Sequence, residues 1–124
     1  MQYTKEEIQK IHSNLDKIKD YLDGLRPQLR KEVVVDFGPM KTYANFSKEP
    51  AYHLAVSKDG IGCRSGGLGF DFSNENKSSF GATAYKQIDY AVSLIQNWFT
   101  VKSTVNNAIK EQERMIADIN NFEI

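Results

Sequence analysis

Residues 84–121 read AYKQIDYAVSLIQNWFTVKSTVNNAIKEQERMIADINN, with no Pro and no Gly. Leu94, Trp98, Val101, Val105, Ala108, Met115, Ile119 and Phe122 recur at steps of four and three, with Gln112 the one polar member. That 3.5-residue repeat is a heptad seam, coiled-coil-like in its period. A second stripe, Ile88, Val92, Ile95 and Phe99, lies about a third of a turn away. The first half of the segment is thus apolar on two sides and belongs in the middle of the protein; the second half is apolar on one side. The expected helix covers about 82–121, and its stretch from 84 to 121 alone would be roughly 55 Å long. A compact domain of this length has a radius of gyration near ~13–14 Å. One end must project, and its apolar side needs a partner.

Upstream, the period is first helical and then strand-like. Thr4 and Glu7 have capping-box spacing, with Tyr3 and Ile8 flanking them as a staple. Ile8, Ile11, Leu15, Ile18 and Leu22 follow as one apolar stripe, predicting a helix over 4–23 with Gly24 as its C-terminal cap. From Val33 the period becomes 2. Val33, Val35 and Phe37 alternate with Val34 and Asp36; after Gly38-Pro39, Met40, Thr42, Ala44 and Phe46 alternate with Lys41, Tyr43 and Asn45. Tyr52, Leu54 and Val56 alternate with His53, Ala55 and Ser57. Asp59-Gly60 reads as a two-residue hairpin turn, placing Val56 opposite Cys63. Ile61–Arg64 and Leu68–Phe72 supply the return strands, and 73–79 is a polar loop. The expectation is a single α+β domain over 1–124, with an antiparallel sheet of four or five strands over 32–72. The N-terminal and long C-terminal helices pack on one face of the sheet, and its other face is wet.

Composition narrows the function. Sixteen basic and sixteen acidic residues balance to zero net charge, which argues against general nucleic-acid binding and against attachment to an anionic membrane. No apolar run approaches a membrane span and the N-terminus has no signal-peptide pattern. The lone cysteine, Cys63, fits a reducing, cytoplasmic setting.

No motif rises to a named activity. Five of the eight glycines lie between Gly60 and Gly69, but neither dinucleotide nor Walker spacing is present. A Cys63-to-Gly69 interval has Gly where a tyrosine-phosphatase loop needs Arg, so the glycines read as turn, bulge and corner residues. Cys63 and His53 alternate onto opposite faces, which makes Cys63 a small core residue and not a nucleophile paired with imidazole. His12 and Asp16 stand one helical turn apart without a further metal ligand. Arg26, Arg30 and Lys31 read as a solvated connector. No metal, no cofactor and no catalysis are expected.

The outer sheet face is more informative. It should present Lys41, Tyr43, Asn45, His53, Arg64 and Asp71, able to meet a partner or a small anionic, nucleotide-like ligand. The oligomer interface is expected along Val105, Ala108, Gln112, Met115, Ile119 and Phe122. The leading expectation is a non-catalytic protein that self-associates as a dimer or higher oligomer. Its build resembles that of small inhibitor proteins carried by phages and mobile elements, which implies binding and blocking a host factor. The alternative is a protein that binds or sequesters a small ligand on the polar sheet face and Gly-rich corner.

Overall fold

The computed structural model describes residues 2–42, 46, 48–66 and 77–124. Helix α1 spans Lys5–Leu25 and opens on the capping box: the Thr4 hydroxyl accepts from the Glu7 amide at 3.1 Å, and the Glu7 carboxylate accepts from the Thr4 amide at 2.9 Å. Its buried stripe is Ile11, Leu15, Ile18 and Leu22. Gly24 does not cap it. The helix continues through Leu25 into a 3-10 turn, Arg26–Gln28, because Leu29 beyond the turn is buried and Arg26 is anchored. The Arg26 guanidinium bonds the Asp23 carboxylate at 2.9 Å and the Lys58 carbonyl at 2.7 Å, fixing the turn to a hairpin of the sheet. Its charge is therefore used structurally.

Among the described residues four strands follow, β1 (Val33–Thr42), β2 (Lys48–Ser57), β3 (Gly60–Ser65) and β4 (Ser78–Ser79), in the order β1-β2-β3-β4 with every neighbour antiparallel. Ser78–Ser79 thus leaves the expected polar loop to pair with Cys63 and Gly62. The expected strand at Leu68–Phe72 lies outside the described residues. Between β1 and β2 the pairing slips, from Phe37 opposite Tyr52 to Met40 opposite Pro50. Two residues of β1, Gly38 and Pro39, oppose one of β2, which is a β-bulge. Gly38 adopts a φ of 97°, and a Cβ there would lie 2.4 Å from the Tyr52 ring. Only glycine suits both conditions.

The β2–β3 loop is Lys58-Asp59, with Ser57 opposite Gly60, Leu54 opposite Cys63 and His53 opposite Arg64. The hairpin therefore pairs two residues away from the register expected for an Asp59-Gly60 turn. A shift of two leaves every side chain on its own face. Val33, Val35, Phe37, Leu54, Val56 and Cys63 join one buried cluster with Leu15, Leu22, Leu94 and Val101 from the helices. Tyr90 stands at its centre, fully buried, with its ring edge-on to Phe37 and Tyr52 and its hydroxyl donating to the His53 carbonyl.

The opposite face is not uniformly wet. Ala51, Ala55 and Arg64 on it are buried. Part of the cover is the Lys77 stem, which lies so close over Gly62 that a Cβ there would be 2.6 Å from its Cδ. The Lys77 ammonium reaches the Glu32 carboxylate at 2.6 Å.

The continuous rod over 82–121 is also corrected. Three helices replace it: α2 (Phe80–Thr83), α3 (Ile88–Gln96) and α4 (Trp98–Asn120). Between α2 and α3 the chain serves two anchors. Tyr85 packs edge-on against His12 and Phe80 and donates to Asp16 on α1, while Tyr90 turns to the sheet. At Asn97 (φ −103°, ψ 12°) the amide side chain and the backbone N–H both bond the Ser93 carbonyl, at 2.8 and 3.0 Å. This local competition for backbone acceptors is what makes Asn a poor helix-interior residue. No helix among the described residues is long and apolar enough to cross a membrane.

Candidate functional site

Two surfaces carry the residues singled out from the sequence: the outer sheet face and the far half of α4. On the first, the register brings Asp36, His53 and Arg64 into one row across three strands. His53 is held at both ends of its ring, Nδ1 at 2.6 Å from the Asp36 carboxylate and Nε2 at 3.1 Å from the Gly66 carbonyl. Arg64 retains only 8% of its surface. An arginine so enclosed leaves little room for an incoming anion, while Asp36 at the end of the row is exposed.

Lys41 does not join them. It pairs with Glu49, four residues along β2 from His53, and lines an open cleft of 410 Å³ with Tyr52, Ser65, Gln87 and Asp89. Burial and the Asp89 carboxylate push the Tyr52 hydroxyl upward in pKa. Tyr43, Asn45 and Asp71 lie outside the described residues.

The candidate nucleophile is disarmed by its surroundings. Cys63 has no exposed surface, and burial pushes its thiol up to about 11. A reactive cysteine needs the reverse, a depressed pKa and access. No group of three or more His, Cys, Asp or Glu among the described residues is placed to hold a metal.

The second surface is where the fold stops covering its own apolar residues. Helix α4 buries Val101, Val105 and Ile109. One turn further, Gln112 clamps the connector after α1: its side-chain N–H donates to the Gln28 carbonyl at 2.6 Å and its oxygen accepts from the Arg30 amide at 2.8 Å. Of residues 113–124, all but Ile116 are exposed. Met115 retains 54%, Ile119 73% and Phe122 75% of their surface.

The expected interface therefore divides. Val105 is fully covered within the protomer and offers no surface to a partner, whereas Ala108 and Gln112 are half-buried, Ala108 against the core and Gln112 in its internal bonds. Met115, Ile119 and Phe122 do offer one.

A further feature escapes a reading of the second stripe as wholly buried. Ile88, Val92 and Ile95 are only half-buried, and Phe99, one turn beyond Ile95, is 81% exposed. Val92, Ile95 and Gln96 of α3 form one wall of a shallow, mainly apolar groove of 270 Å³. Tyr3, Ile11 and Asn14 form the other, with Glu7 and Lys10 at its rim. The stripe itself is the signal. What the sequence withholds is that α1 covers only one edge of it.

No protein-family model matches this chain, and no curated protein or solved structure is significantly similar to it.

Proposed function

We propose that this is a non-catalytic protein that associates with further copies of itself through the uncovered half of α4. The observation that supports it is the row Met115, Ile119 and Phe122, three large apolar side chains standing free beyond the Gln112 clamp. Met115 and Ile119 stand one turn apart on α4 and Phe122 lies just past its end; large apolar side chains exposed together mark interaction sites. Each would transfer its remaining apolar area out of water on association, and contacts at interface centres dominate binding energy.

Light scattering across a concentration series tests this reading. The parent chain should exceed its 14.1 kDa monomer mass, and Ile119→Glu should return it to the monomer while leaving it folded. A parent that stays monomeric throughout would overturn the proposal. Val105→Glu serves as the contrast: that side chain is buried in the protomer, so the substitution should unfold the chain.

A second reading, binding of a small anionic ligand, has one observation behind it, the cleft in which Lys41 stands beside Ser65 and Gln87. A panel of nucleotides and inorganic phosphate should then raise the melting temperature of the parent, and of Lys41→Ala far less. Absence of any shift in the parent removes this reading.

A further inference from the structure

The free half of α4 and the α1–α3 groove are distinct surfaces of one copy; we infer that they are the two sides of one contact, the helix end of one copy lying in the groove of another. The inference rests on the self-association proposed above and names where the end goes.

Charge decides against the obvious alternative, in which two helix ends pair with each other. Between Lys110 and Ile124 the chain carries Glu111, Glu113, Asp118 and Glu123 against only Lys110 and Arg114. Glu111 and Asp118 immediately precede Gln112 and Ile119 of the seam, at the flanking positions that meet across a paired-helix interface. An antiparallel pair sets Glu111 and Asp118 against their own counterparts. A parallel pair brings together two ends that each carry two more acids than bases. Either way acid meets acid, which disfavours the pairing.

The floor of the groove is apolar, with Ile11, Val92 and Ile95. Of the two charged groups at its rim, Glu7 is engaged with the Thr4 amide in the helix cap, so the complementary charge comes from Lys10 and from Lys17, one turn on from Asn14. Both lysines are exposed, and neither has an ion-pair partner among the described residues. Lys10 and Lys17 are seven residues apart, as are Glu111 and Asp118. Two turns of helix separate each pair by about 10.5 Å. A helix end laid along α1 therefore matches carboxylates to ammonium groups while it sets its apolar row over the groove floor. Glu111 is bonded to Arg114 in the protomer, but that pair is exposed on both sides and costs little to exchange.

Complementation between two monomeric variants tests the assignment by light scattering. Ile119→Glu removes the helix end and leaves the groove; Ile95→Glu removes the groove and leaves the helix end. Each alone should have the monomer mass, and an equimolar mixture should regain a species of twice that mass, since one intact contact can form. Because Ile95 is half-buried, the surface pair Lys10→Glu with Lys17→Glu carries the same test without disturbing the fold. Adding Glu111→Lys and Asp118→Lys to that chain should restore the parent mass. If the groove variants keep the parent mass while Ile119→Glu is monomeric, self-association stands and the groove assignment falls. If all variants are monomeric and neither mixing nor charge exchange restores association, the assignment falls as well. If the parent is monomeric, both it and the underlying reading fall.

Discussion

Gly38→Ala is the sharpest probe of how β1 is joined to the core. At a φ of 97° an alanine meets the steric cost of the left-handed region, about 1–2 kcal/mol. Its Cβ would also stand 2.4 Å from the Tyr52 ring and 3.2 Å from the Ser93 hydroxyl. Tyr52 cannot simply swing aside, because its ring is set against Phe37 and Tyr90, with centroids at 5.9 and 5.2 Å. Displacing packed side chains in this way costs a further ~1–3 kcal/mol. The sum is about 3 kcal/mol, and with a urea slope of about 2 kcal/mol per molar it moves the midpoint down by roughly 1.5 M. Trp98, the only tryptophan, reports the transition by its fluorescence. Using an Ile119→Glu background keeps association out of the measurement. Tyr52→Ala then separates the two terms: in that background Gly38→Ala should cost only the backbone part. A cost below about 0.5 kcal/mol in the first case refutes the bulge geometry. An unchanged cost once the Tyr52 ring has been removed refutes the collision.

Further outcomes follow from one buried and one clamped group. The Cys63 thiol, raised from 9.0 to about 11, should hold about 100-fold less thiolate at pH 8 than a free thiol, so native labelling by a thiol reagent should be at least that much slower than in urea. The sign for stability is that the fold prefers the neutral thiol: its contribution is complete below pH 9 and is lost as pH climbs through about 11, a fall of about 3 kcal/mol visible in alkaline denaturation and absent in Cys63→Ala. Gln112→Ala should lower stability by about 1 kcal/mol and speed hydrogen exchange at the Arg30 amide, which loses its acceptor. An unaltered Arg30 exchange rate would show that the clamp does not persist in solution.

Much of the fold is legible in the residue pattern because a period of 2 survives errors of register. The hairpin register expected from Asp59-Gly60 is displaced by two residues, yet Cys63 still falls inside with Leu54, and His53 still falls on the Arg64 side. The capping box at Thr4 and Glu7 is local chemistry and is read directly. The break between α2 and α3 is not local. Tyr85 and Gln87 tolerate helix, and the distant partners of Tyr85 and Tyr90 make that turn worthwhile. The break at Asn97 is local, but an apolar period does not register a polar side chain competing for a backbone acceptor. The site is legible in part for the same reason. Periodicity finds the seam to Phe122, but it cannot show that the connector after α1 reaches Gln112 and uses the near half for the fold. Nor can it show that Arg64 is enclosed, since alternation assigns a face and not the cover over it.

The interruption at Asn97 acts as a joint between two shafts. Upstream, α3 is committed to the sheet through Tyr90 and to α1 through the groove wall; downstream, α4 takes its direction afresh from Trp98 against Tyr21 and from the bond between Asn106 and the Tyr21 hydroxyl. An unbroken helix would have to satisfy Tyr90 and Tyr21 along a single axis. With the break in place each helix is aimed by its own partners, and the heading of the protruding end is set by Tyr21 and the Gln112 clamp.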